Sequence, residues 1–152
     1  MTMKAKVHAA AGAAALLVVG SFWLATVATE LSGNLETVAM AKAGILAGMA
    51  VLIPLMIVAG ASGFSLAKGW KSPGVQRKKR RMRIVAANGI LVLLPSAYVL
   101  AGWAGEGRFD AAFVTVQVLE LAAGAVNIAL LSLNMRDGLA LRRTPPRAVR
   151  YG

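Results

Sequence analysis

Six residues of the last apolar stretch, Gln117, Glu120, Gly124, Asn127, Leu131 and Asn134, recur at alternating steps of three and four. This spacing places them on one face of a helix. A carboxylate and several carboxamides on one stripe can move protons, hold a polar ligand or bond helix to helix. The surrounding residues, from Ala111 to Leu133, are nearly all apolar and long enough to cross a bilayer. Ionisable groups at that depth are costly and face a protein interior or a wet cavity rather than lipid.

Only one other charge lies well inside an apolar stretch. Lys42 is about five residues, roughly 8 Å, from the outer end of its span, and Glu120 is about nine residues, roughly 14 Å, from the outer end of its own. The lysine stem can cover the difference in depth. One reading is a proton or ion relay formed by Lys42 and Glu120, lined by Gln117, Thr26 and Thr29. The other, preferred here, is a structural ion pair, since a buried pair is far less costly than either charge alone. Asn88, Asn127 and Asn134 carry the same ambiguity. Asn127 is expected deep and the other two near the cytoplasmic face, and carboxamides of this kind act as interhelical glue more often than as a binding pocket.

His8 is the single histidine and stands at the cytoplasmic start of the first span. A neutral imidazole can serve as an axial ligand of haem b. The second ligand here would be Met82, Met135 or the His8 of a second protomer. An interfacial histidine without a cofactor is the simpler expectation, so no cofactor is expected. There is no cysteine, which removes thiolate metal sites, iron–sulfur clusters, disulfides and thiol nucleophiles together. No other metal site is expected. His8 lies at the opposite end from the outer acids, so no Ser–His–Asp set can form. There is no HExxH, P-loop or dinucleotide fingerprint. An enzyme is not expected.

The elements that must position these residues are read from composition. The 152 residues are 58% hydrophobic and only 15% charged, against about 25% charged in soluble domains. Apolar stretches at about 8–29, 37–64, 84–104 and 111–135 are each long enough to span. The expectation is a single transmembrane domain, 1–152, of the all-α class: an integral membrane four-helix bundle of two antiparallel hairpins. Lys4 and Lys6 precede the first stretch as in a signal peptide, but its apolar run is too long for a signal core, and it is read as an uncleaved helix.

The net charge of +11 is distributed very unevenly. Fifteen of the 17 Lys and Arg fall in the N-terminus, the 65–83 segment and the residues after 135, whereas the opposite side carries only Lys42 and Arg108. Short loops rich in Lys and Arg stay cytoplasmic. This predicts N-in/C-in topology, a basic cytoplasmic loop over 65–83 and a basic cytoplasmic tail over 138–152, disordered over Arg142–Arg150. The densest block, Arg77, Lys78, Lys79, Arg80, Arg81 and Arg83, suits anionic membrane lipids or an acidic partner. It lacks the aromatic platform of a nucleic-acid surface. Pro54 and Pro95 are expected to kink their helices.

The stretches MRIVAANGILVLLPSA (82–97) and QVLELAAGAVNIALLSLNMRDGLAL (117–141) resemble those of small uncharacterised four-helix inner-membrane proteins of proteobacteria. The resemblance covers most of the chain. It implies the bacterial cytoplasmic (inner) membrane and brings no activity with it. The functional expectation is therefore a non-catalytic accessory or assembly subunit acting through helix faces and a basic surface, as a homo-oligomer or with a membrane-protein partner. The alternative is a small oligomeric transporter or proton-linked carrier using Lys42, Glu120 and Asn127. A haem-binding electron carrier is the third.

Overall fold

The computed structural model describes residues 2–69 and 72–143, and these are all-helical. Helices α1 (Met3–Ser32) and α2 (Leu35–Leu66) are followed by α3 (Pro73–Asn88), a π-helical turn (Gly89–Leu93), α4 (Leu94–Gly105) and α5 (Ala111–Arg143). From α3 to α4 the chain is one continuous rod, Pro73–Gly105, so four helices are long and apolar enough to cross a membrane. This is the make-up of a multi-pass membrane protein. Large apolar side chains such as Leu17, Leu24, Leu91 and Tyr98 point outward, where lipid rather than water would surround them.

Local chemistry sets the turns. Gly33 takes a left-handed conformation, φ 66°, and its N–H returns to Glu30 O, ending α1. Asn34 then caps α2 by accepting from the N–H groups of Glu36 and Thr37. The link is so short that α1 and α2 must pack on each other, and they do. At the start of α5 the Asp110 carboxylate accepts from Phe113 N–H at 3.0 Å and from Arg108 Nε at 2.7 Å, while the Arg108 guanidinium lies over the Trp103 ring.

The Arg108 hydrogen bond, with that from Phe113, holds the Asp110 carboxyl below its ordinary 3.8. A lowered native value means stability that is present above the unfolded value and lost as pH falls through the native one. Asp110→Ala is therefore expected to lower the thermal midpoint by about a few degrees at neutral pH. The difference from wild type should begin to shrink below about pH 4 and close only once pH falls below the lowered native value. Unfolding curves in detergent at pH 7 and pH 3 check this.

Two expectations are corrected. The basic segment is not a loop throughout 65–83: α2 runs to Leu66, and α3 begins at Pro73, so Arg77–Arg83 is helical. Proline at the first helical position has no N–H to lose and a preset φ, and the Lys and Arg that follow are good helix formers. Likewise α5 continues past 135 to Arg143. Arg142 and Arg143, expected in the disordered part of the tail, are thus helical, and the rest of the tail, 144–152, lies outside the described residues. Pro95 follows the π turn, in which Leu94 N–H reaches back to Gly89 O. The wider turn accommodates a ring that would otherwise press on the carbonyl four residues earlier.

Helix α1 packs on α2 and α5, α2 on α4, and the third rod on α5. One apolar cluster, Val38, Leu100, Ala104 and Phe113, closes the end away from the basic residues. A second, Ala15, Val19 and Leu52 with Phe22, Met49 and Ile128, fills the middle. Close approach relies on glycine: a Cβ at Gly48 would overlap the Phe22 ring, and one at Gly124 would lie 3.0 Å from Trp23 Cδ1. Small residues at such crossings let van der Waals packing hold helices together where the hydrophobic effect cannot.

Candidate functional site

Helices α1, α2 and α5 bring three of the expected residues together. Lys42 Nζ lies 2.5 Å from Glu120 Oε2 and 3.5 Å from Thr26 Oγ1. Lys42 is 1% exposed and Glu120 9%, so the pair is removed from both surfaces. The cluster of Val38, Leu100 and Phe113 lies one to two helical turns beyond it, away from the basic end. Close opposite charges with little solvent between them attract strongly, and each cancels the desolvation cost of the other. Chemically, the arrangement can hold a proton between an amine and a carboxylate, or join α2 to α5.

Other expected members are not part of this group. The Thr29 hydroxyl donates to Ala25 O and Thr26 O of its own helix, as hydroxyls in helices commonly do. Gln117 is buried one turn from Glu120, away from the basic end, and its amide has no hydrogen-bond partner among the described residues. Asn127 faces a different neighbour. Asn88 Nδ2 donates to Asn127 Oδ1 at 2.9 Å and to Ala123 O at 2.8 Å, and Asn127 Nδ2 reaches Val85 O at 3.4 Å. Asn88 was expected near the membrane face, apart from the deep Asn127. The two are at one level because the third rod starts at Pro73, which places Asn88 sixteen residues into it.

Toward the basic end, Arg81 Nη1 donates to Asp137 Oδ2 at 2.7 Å and lies 3.5 Å from Asn134 Oδ1. Arg81 is thereby tied to α5 instead of facing outward. Arg77, Arg80 and Arg83 are exposed, and Lys78 and Lys79 are half-buried. His8 Nδ1 lies 3.0 Å from Ala59 O; a carbonyl only accepts, so Nδ1 carries the proton. The ring rests against Gly63, where a Cβ would come within 2.9 Å of it. The two methionines considered with His8 lie on other helices, Met82 on α3 and Met135, exposed, on α5.

Three features are not evident in the sequence. Trp23 Nε1 donates to Leu121 O at 3.0 Å, binding α1 to α5; no local pattern marks a tryptophan for that contact. Asp137 as the partner of Arg81 could have been found, because it is the only acid among the basic residues of its end. The larger feature is a cavity of about 500 Å³ between α1, α2, α5 and the third rod. Its walls are almost wholly apolar, and Thr26, Glu120 and Asn127 are among its few polar residues. It is within the size range of small-molecule sites. In comparisons with protein-family models, with curated proteins and with solved structures, the chain matches none.

Proposed function

We propose that this chain is a non-catalytic integral protein of the bacterial cytoplasmic (inner) membrane. In this reading it is a four-helix bundle of two antiparallel hairpins with both termini in the cytoplasm. It acts as an accessory or assembly subunit through its helix faces and its basic surface. One observation carries the reading: six polar side chains within the spans, Lys42, Glu120, Asn88, Asn127, Trp23 and His8, are spent on joining helices. Lys42 bonds to Glu120, Asn88 to Asn127, Trp23 to Leu121 O and His8 to Ala59 O. Groups engaged in this way hold a shape and are not free to turn over a substrate. The location rests on the charge asymmetry and on the resemblance to proteobacterial inner-membrane proteins. Lipids and a second copy or another membrane protein are the partners. Neither nucleic acid nor a resident cofactor has a part in it.

The contact face proposed is the exposed small-residue strip of Ala43 and Ala47 on α2 and Gly102 on α4, which allows another helix to approach closely. The chain has no cysteine, so single-cysteine crosslinking in native membranes is clean. Ala47→Cys and Gly102→Cys are expected to give one adduct of defined mass, either a dimer or a heteromer, and Leu24→Cys none. Absence of an adduct at the strip would remove this reading.

The second reading, a proton-linked carrier, is favoured by the cavity reaching Glu120 and by the unpartnered Gln117 amide beyond it. In that case proteoliposomes carrying an internal pH dye would respond with the wild-type protein and not with Glu120→Gln.

A further inference from the structure

The apolar cavity has an opening, a length and a charged rim that the interhelical bonds do not use. Helix α2 packs on α4 but makes no comparable contact with α3 or the π turn, so the two rods separate toward the basic end. Ile53, Ile57 and Phe64 on one side of this seam, and Ile90 on the other, both line the cavity and remain exposed. The cavity therefore opens sideways, toward hydrocarbon in a membrane.

Its dimensions suit a chain. Met82 and Leu94 both line it, and twelve residues of helix span about 18 Å, a little over half of a hydrocarbon core about 30 Å thick. A methylene occupies roughly the volume of a water molecule, about 30 Å³, so the cavity of about 500 Å³ holds about sixteen. The polar groups at its inner end are already answered, Glu120 by Lys42 and Asn127 by Asn88 and Val85 O. An apolar tail fits there and a polar head does not.

The residues that neighbour the cavity lining in sequence at the basic end are cationic. Lys79 lies one turn before Met82 on the same helical stripe, Arg83 follows Met82, and Lys68 stands four residues past Phe64 in the turn that ends α2. Among the described residues no acid pairs with any of the three. Cations at the level of the headgroups attract anionic lipid.

The geometry points to a lipid site: the cavity takes one acyl chain of an anionic phospholipid from the surrounding bilayer, with its phosphate held between Lys68 and Lys79. This goes beyond the accessory-subunit reading and stands without it, because it depends on the cavity and its rim and not on the small-residue strip.

The test is native mass spectrometry of the full-length protein released from nanodiscs of equal phosphatidylglycerol and phosphatidylcholine. One phosphatidylglycerol per protomer is expected to remain bound, with a preference of about fivefold for each of the two lysines. Lys68→Gln with Lys79→Gln should keep a bound lipid but lose the preference. Gly60 lines the cavity, and a Cβ there meets nothing within 4 Å, so Gly60→Phe should fill the space and lower retention about tenfold.

Retention unchanged in Gly60→Phe, equal retention of both lipids by the wild type, or a bound molecule without a phosphate headgroup would each overturn the proposal. A second measurement holds if Gly60→Phe fails to fold. Trp23 lines the cavity; with Trp70→Phe and Trp103→Phe it is the only tryptophan. Phosphatidylglycerol brominated near the chain end should quench it more than the equivalent phosphatidylcholine, and equal quenching would overturn the proposal.

Discussion

Lys42→Met and Glu120→Gln are each expected to destabilise the protein by about 3–5 kcal/mol in detergent, and the double variant to recover most of that loss. The asymmetry follows from where the cost lies. Lys42 is 1% exposed and its ammonium sits 2.5 Å from the Glu120 carboxylate. Removing either partner leaves the other with no opposite charge and little water. Thr26 Oγ1, at 3.5 Å, is a weak substitute because a hydroxyl supplies no charge. Removing both deletes the desolvation cost along with the attraction. Thermal unfolding of the four proteins forms a double-mutant cycle, with the coupling read as the departure from additivity. Strictly additive losses would show that the two side chains do not depend on each other, and the structural role assigned to the pair would fall.

The second large effect is at the crossing of α1 and α5. Gly124→Leu is expected to cost about 1–3 kcal/mol from overpacking, with about 1 kcal/mol more if the Trp23 hydrogen bond is lost. A Cβ at Gly124 would already sit 3.0 Å from Trp23 Cδ1, and the indole has its Nε1 fixed on Leu121 O one turn away. The ring cannot retreat without giving up that bond. Gly124→Ala asks only for a shift of a few tenths of an ångström and should cost much less. Adding Trp23→Ala to Gly124→Leu should relieve part of the loss, which a cause elsewhere in α5 would not allow. Unfolding midpoints measure the cost, and a change in Trp23 emission reports the displaced ring.

The helical class and the inward face of α5 were legible in the sequence because they follow from short-range patterns. Apolar runs of spanning length define the helices, and all six residues of the α5 stripe are buried or line the interior. The meeting of Lys42 with Glu120 was also legible, since only two charges lie deep in the spans and neither tolerates being alone there. Boundaries were less so. Hydropathy falls at a run of Arg and Lys whether that run is coil or helix, so the start of α3 at Pro73 was missed, and with it the true level of Asn88.

Other relationships were decided only by tertiary structure. Thr26 reaches the ion pair and Thr29 does not, although they are three residues apart on one helix, because the rotation of α1 against α2 and α5 is set by packing at Gly48 and Gly124. The pairing of Asn88 with Asn127 depends on the π turn and on how deeply the third rod is seated. The cavity has no counterpart in any local pattern. It exists because α2 leans on α4 and leaves α3, and the divergence of two rods is a property of their packing against a third and fourth. The chain by itself determined which residues must be hidden from lipid, through the cost of burying charge. The arrangement of the helices determined what those residues meet, and where space was left between them.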